Sequence, residues 1–428
     1  MPVPISIGIG PPLPKPRLYE PRFLFHPMTA LDQIFVTLKH WAVGWPLWPE
    51  SLRPILSILL SIVPIIAVFA LLFALTTVVE RKGLGRIQNR LGPNRVGLPW
   101  TNLRLFGFGQ FIADGIKALI KEDIVPRAAD KVVHYLAPIA LVVPVLLAYS
   151  VLPVGRNMVA IDIDGGLLFF FAVGAATELS LFMAGWSSRN KYSLLGAMRA
   201  IAQMISYEVP LVLSAITVIM IVGSLSLVKI VEAQSHYTAS VAHWFVFTPW
   251  GLAGFILFSI AALAESNRSP FDLPEAESEI IAGYFVEYSG FKFALFFLGE
   301  YLGLFAVTGL GITLFLGGWT APFSWLAWIP SWAWFFLKLF AMIALLIWIR
   351  GTVPRLRIDQ LMNLAWKFML PMALLNIAVV GLWHYTALAN WNVVLRWLAC
   401  AALLAVPYVI FGRVLDTKGG KRVYRFAD

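Results

Sequence analysis

The chain has 428 residues, 59% of them hydrophobic and 13% charged, with 33 Lys and Arg against 23 Asp and Glu for a formal charge of +10. Soluble domains run near 45–50% apolar and about 25% charged, so this composition excludes an ordinary soluble enzyme. A nucleic-acid binder gathers its basic charge on one face, whereas here the charges fall between long apolar runs, the pattern of a membrane protein. A single cysteine, Cys400, rules out a disulfide framework and any thiolate-ligated cluster built by this chain alone. The six histidines are scattered without metal-ligand spacing, so no metal site is expected, and no GxGxxG or P-loop pattern occurs. In an oxidoreductase, this chain would receive its electrons from another subunit.

Residues 1–27 carry eight prolines, and no charged-then-apolar start of a secretory signal is present. Proline removes amide donors and disfavours the α region before it, so residues 1–54 read as an extended arm and lead-in, either disordered or packed on a neighbouring subunit. Nine apolar stretches then approach the roughly 20 residues that cross the hydrocarbon as a helix. They lie at about 55–79, 132–153, 167–186, 208–228, 243–264, 291–316, 332–349, 368–388 and 393–412, and Pro249 interrupts the fifth. The fold expected is an all-α polytopic membrane protein with about nine transmembrane helices: a main domain over 55–390, then an additional span and basic tail over 391–428. Lys338 and Arg396, near span ends, are expected to snorkel to the interface.

Between the first two stretches, Gln110, Asp114, Lys117 and Lys121 form a polar stripe at helical spacing, with Phe108, Phe111, Ile112, Ile116, Leu119 and Ile120 opposite it. That predicts an amphipathic helix lying in the membrane interface. Alternate loops (80–131, 187–207, 265–290, 350–367 and 413–428) hold 23 of the 33 Lys and Arg. The positive-inside rule therefore puts the N-terminus outside and the C-terminus in the cytoplasm.

Three features exceed what spanning requires. The run from Glu80 to Arg95 is basic, and it is either a positive-inside flank or, given its glycines and Gly-Pro-Asn turn, a shaped loop. From Glu265 to Glu287 the chain reads ESNRSPFDLPEAESEIIAGYFVE, six acids against Arg268 alone. The positive-inside rule gains nothing from such a loop, and acids clustered beside a span can hold and release protons near neutrality. Arg268 is expected to pair with Asp272 or Glu277 and hold the loop's shape. Third, Glu178, Glu208 and Glu300 lie within or beside spans, where a charged acid costs on the order of 2.5–3.5 kcal/mol and usually faces a polar path.

These stretches resemble the quinone-site membrane subunit family of respiratory complex I, the H subunit of bacterial NADH:quinone oxidoreductase. The resemblance is carried by ERKGLGRIQNRLGPNRVG at 80–97, GWSSRNKYSLLGAMRAIAQMISYEV at 185–209, AESNRSPFDLPEAESEIIAGYFVEYSGFKFALFFLGEY at 264–301 and RGTVPRLRIDQLMNLAWK at 350–367. It implies a subunit of a proton-pumping enzyme in a bacterial inner membrane, lining a chamber for ubiquinone or menaquinone. FMN and iron–sulfur clusters would sit only in partner subunits, those of the peripheral arm's quinone module, with small membrane subunits alongside. It implies that Arg81, Arg90, Arg268, Asp272 and Glu277 lie near the quinone path. It also implies that Glu208, Glu265, Glu275, Glu279, Glu287 and Glu300 form an acidic path to the proton channels. Leu91 and Glu178 depart from the family pattern, which has a basic residue and often a tyrosine there. There are two alternatives: the homologous subunit of a membrane-bound hydrogenase-type complex, which keeps the bundle but lacks a quinone, and a stand-alone ion transporter, where broken helices and buried acids also occur.

Overall fold

Apolar runs of this length fold as helices because a helix satisfies every backbone donor and acceptor within its own segment. The computed structural model describes residues 32–44, 49–97, 105–238, 240–273, 282–389 and 391–416. In chain order its helices are α1 (Ile34–Val43), α2 (Arg53–Ile87), α3 (Gln110–Ile120), α4 (Lys131–Ala148), α5 (Gly166–Ser187) and α6 (Lys191–Val222). There follow α7 (Leu227–Gln234), α8 (Pro249–Glu265), α9 (Gly290–Phe315), α10 (Ser331–Thr352), α11 (Ile358–Leu388) and α12 (Val393–Asp416). The only named strands among the described residues are the two-residue pair β1 (Tyr237–Thr238) and β2 (Val241–Ala242). The chain is an all-α multi-pass membrane protein: among the described residues eight helices, α2, α4, α5, α6 and α9 to α12, are long and apolar enough to cross a bilayer.

The expected fifth span, α8, has 17 residues, at the lower limit for crossing. Pro249 does not interrupt it but starts it, at the first-turn position where the missing amide costs nothing, while Thr248 Oγ1 caps the turn by accepting from Gly251 N at 3.1 Å. Hydrogen bonds sort the connections into two ends of the bundle. At one end, Asp130 N donates to Ser187 O at 3.0 Å, Asn190 Nδ2 to Glu287 Oε1 at 2.7 Å, and Leu356 N to Pro270 O at 3.1 Å. At the other, Leu167 N donates to Leu225 O, Ser324 N to Ser240 O and Gly317 N to Gln234 Oε1, each at 3.0 Å. The chain enters α8 from the second end, where Phe245 N reaches Gln234 Oε1 at 3.4 Å, and leaves it at the first. Short as it is, α8 runs the length of the bundle.

Helix extends into two expected loops. Three cations lower the hydropathy of 187–207 without breaking a helix, so α6 starts at Lys191, capped by Asn190 Oδ1 on Tyr192 N at 3.0 Å, and runs 32 residues until Gly223 at φ +72° ends it. Likewise α2 continues through Glu80, Arg81 and Lys82 to Ile87. The amphipathic helix is present as α3. Most of the Pro-rich arm, residues 1–31, lies outside the described residues.

The most buried of the eight is α9, which packs against α4 and α8. Its glycines permit this: a Cβ on Gly299 would run into Leu141, and one on Gly311 into Phe258. Lys338 of α10 does not snorkel. It is buried under the Trp244 ring, with Nζ donating to Leu316 O at 2.7 Å, Gly318 O at 2.8 Å and Thr320 O at 2.7 Å. All three ammonium hydrogens thus meet carbonyls just past the negative end of α9.

Candidate functional site

Helix α6 carries Glu208 near its middle, α5 carries Glu178 near its centre, and α8 ends on Glu265. Their charges act on one another: Glu178 feels Glu208, and Glu265 feels both. Among the described residues, Glu265 Oε2 is buried without a hydrogen-bond partner. Glu265 and Glu300 line one cavity of about 60 Å³ among α4, α5, α6, α8 and α9, with Thr177, Ser266 and Asn267 in its wall. Each water needs roughly 10–15 Å³ of such space, so a short water chain fits between the two carboxylates. Tyr284 Oη donates to Glu300 Oε1 at 2.7 Å. Negative charge on Glu208 opposes charge on Glu178, and both oppose charge on Glu265.

The segment after α8 is pinned from α6. Gln203 Nε2 is within hydrogen-bond distance of Ala264 O at 2.7 Å, Phe271 O at 2.6 Å and Asn267 Oδ1 at 3.3 Å, and the whole side chain is buried. Held in that turn, the Arg268 guanidinium lies 3.9 Å over the Tyr301 ring. Tyr301 Oη donates to Glu80 Oε2, and Arg350 Nη1 pairs with Glu80 Oε1. The result is a cluster of buried Glu80, Tyr301 and Arg268 with half-buried Arg350, around a cavity of about 20 Å³. Asp272 finds its cation in Arg355, Nη2 to Oδ2 at 2.6 Å, so the Arg268–Asp272 alternative is corrected, while the Arg268–Glu277 alternative lies outside the described residues. The reason is the turn itself: it aims Arg268 at α9 and α2, while the 353–357 segment lies against Pro270 and Asp272.

The other expected residues fall in three groups. Arg81 and Arg90 are exposed; Arg81 pairs with Asp114 of α3 at 2.6 Å, and Arg90 Nε donates to Gln88 Oε1 at 2.7 Å. Glu287 accepts from Asn190 beside a buried aromatic pair in which the His134 ring stacks on Tyr288 at 4.0 Å. Burial pushes the Tyr288 phenol up to about 12, so it keeps its proton opposite Ser187 Oγ at 3.2 Å. Glu275, Glu277 and Glu279 lie outside the described residues. Two carboxylates of the site were not among the expected site residues. One is Glu178, which stands in the same electrostatic set as Glu208 and Glu265. The other is Glu80, whose signal was an acid placed at the junction between an uncharged span and a run of cations.

Membrane-length helices that bring carboxylates together in their midst, next to a buried carboxylate–arginine cluster at one end, define a class: multi-pass membrane proteins that handle charge inside the apolar layer. A family model described as NADH dehydrogenase matches residues 60–381. A curated relative from Geobacillus kaustophilus, named as the H subunit of NADH-quinone oxidoreductase, is 50% identical over 309 residues, covering 72% of this chain and 88% of its own length. Relatives bearing that same name are 42% identical over 368 residues in Polaromonas naphthalenivorans (85% and 100% covered) and 49% identical over 302 residues in Dehalococcoides mccartyi (71% and 80% covered). The chain belongs to the NADH dehydrogenase family, among members named as the H subunit of NADH-quinone oxidoreductase.

Proposed function

We propose that this chain is the membrane subunit of a proton-pumping NADH:quinone oxidoreductase, and that it contributes to the quinone chamber and passes the effect of quinone reduction to proton channels through its carboxylates. The quinone is the substrate; flavin and iron–sulfur clusters belong to partner subunits. The observation that carries the reading is the linked set of Glu178, Glu208 and Glu265, with Glu265 and Glu300 facing one cavity. Arg81, Arg90, Arg268 and Asp272 surround the end of the bundle where α2, α8 and α10 finish, and the chamber's floor is assigned there, with Glu277 in the same loop. Reducing a quinone to its quinol takes up electrons and protons, so charge at that end changes with each turnover. A change at the Glu80–Arg268–Arg350 cluster reaches Glu265 through the short turn 266–268, and Glu265 in turn feels the charges of Glu208 and Glu178. Glu287 extends the path along the same loop, to which Glu275 and Glu279 belong in sequence.

The test is substitution of Glu208 or Glu265 by Gln, which keeps shape and removes the titratable proton. In assembled complex, each variant should lose proton pumping several-fold and slow NADH:quinone turnover, while electron transfer from NADH to an artificial acceptor stays normal. Full pumping in both would remove the carboxylates from the path.

A further inference from the structure

At the end of the bundle away from Glu80, a cavity of about 980 Å³ opens between α1, the first half of α2, the 154–160 segment and α10. Helix α1 touches the bundle at points and leaves the space beneath it open. At its start, Asp32 Oδ1 accepts from Ser331 N, and Phe35 meets Trp332 edge-on at 5.7 Å. Further along, Lys39 Nζ donates to Ser61 Oγ at 2.6 Å. Between those ties the wall is apolar, formed by Leu60, Pro64, Ile65, Phe69 and Phe336.

That space is at the upper end of the roughly 300–1,000 Å³ found for ligand pockets. A wall of this kind is a poor host for water, which stays only where polar groups supply several hydrogen bonds. The occupant must therefore bring a long apolar portion. Its polar end is set by charge: Lys39 and His40 lie on the cavity and, among the described residues, no carboxylate does. The rim continues onto Phe35, Trp41 and Val63, all more than half exposed, so the opening faces the surface that a bilayer covers. A lysine and a tryptophan at the edge of an apolar surface mark the headgroup level.

We propose that this cavity is a binding site for one anionic phospholipid, its acyl chains between α1 and α2 and its phosphate on Lys39. Cationic pockets between membrane helices select anionic headgroups on the same ground. The lipid completes the contact of α1 with the bundle, and the site is separate from the carboxylates and the quinone path.

Purified complex, delipidated in mild detergent, is exposed to vesicles of phosphatidylglycerol or of phosphatidylcholine, repurified, and its retained lipid counted by mass spectrometry. Phosphatidylglycerol should be retained and phosphatidylcholine should not, and Lys39→Glu should lower retention roughly tenfold or more, since it reverses a unit charge at the headgroup. Equal retention of both lipids, or no effect of the reversal, overturns the proposal. A photoreactive side chain at Ile65, with Lys39 intact, gives an independent readout should the reversed variant fail to assemble. A phospholipid adduct supports the site; an adduct to residues 1–31, to a neighbouring subunit or to quinone overturns it.

Discussion

Glu80 and Asp114 are both carboxylates paired with arginine, yet they differ in what water does for them. The Glu80 side chain is 8% exposed and its partner Arg350 29%, whereas Arg81, the partner of Asp114, is 52% exposed. An exposed pair contributes about 0–1 kcal/mol. Removing one member of a desolvated pair strands the other and costs about 3–5 kcal/mol. Arg350→Met should therefore lower the thermal unfolding midpoint of the purified complex, and Arg81→Met should leave it nearly unchanged; equal shifts would mean the Glu80 cluster is solvated. Arg268→Met acts differently, removing the cation stacked on Tyr301 and one of the two arginines acting on Glu80. It should depress NADH:quinone activity and raise the apparent quinone KM, with transfer from NADH to an artificial acceptor unaffected. Normal quinone kinetics in that variant would detach Arg268 from the quinone site. The sequence pointed to Arg268 and Asp272 through their place in an acidic loop, but not to their partners. Those partners, Tyr301 and Arg355, come from α9 and from the segment after α10, and Gln203 of α6 fixes the turn that aims Arg268. Contacts between distant segments leave no local pattern to read.

Elements were legible where the apolar run was long and were misjudged where charge or proline interrupted it. The run at 55–79 becomes the core of α2, but hydropathy hides that the same helix continues to Ile87 and carries Glu80 with it. At 187–207 the cations resembled a loop, yet Asn190 supplies a cap and the helix runs on through Pro210 until Gly223, so Glu208 sits inside a long helix rather than at the head of a short one. Helix α9 shows what a run of apolar letters conveys least, which is its position in the packing. Its glycines at 299 and 311 face Leu141 of α4 and Phe258 of α8 with no room for a side chain. Gly311→Val should strain that contact by about 1–3 kcal/mol, as overpacked cores do. The variant complex should unfold at lower temperature while Gly381→Ala, at a position with open space around it, does not. Equal stability of the two would mean that α8 and α9 can part cheaply, which a fixed path through their shared wall around Glu265 and Glu300 does not allow.

Across the whole molecule, the two ends of the bundle differ in composition as well as in contacts. The end that holds Glu80, Asp272 and Glu287 also receives the loops richest in Lys and Arg, while the other collects the 154–165, 223–248 and 316–330 connections, which hold few. From the positive-inside rule we propose that the first end lies in the cytoplasm, where peripheral subunits would dock. The odd number of crossings behind that orientation depends on α8, the one traversing helix below the length of the other eight. Single cysteines at Asn89, Asp164 and Ser324, in a Cys400→Ala background, separate the possibilities. Asn89 follows α2, Asp164 lies between α4 and α5, and Ser324 lies between α9 and α10. With α8 crossing, a membrane-impermeant thiol reagent should reach the Asp164→Cys and Ser324→Cys variants only from outside sealed vesicles of native orientation, and the Asn89→Cys variant only from the cytoplasmic side. If α8 were instead folded back at one surface, every connection after it would change sides. The Ser324→Cys variant would then label together with Asn89→Cys, Glu80 and Arg350 could not meet, and the assignment of a single quinone-facing end would fall with them.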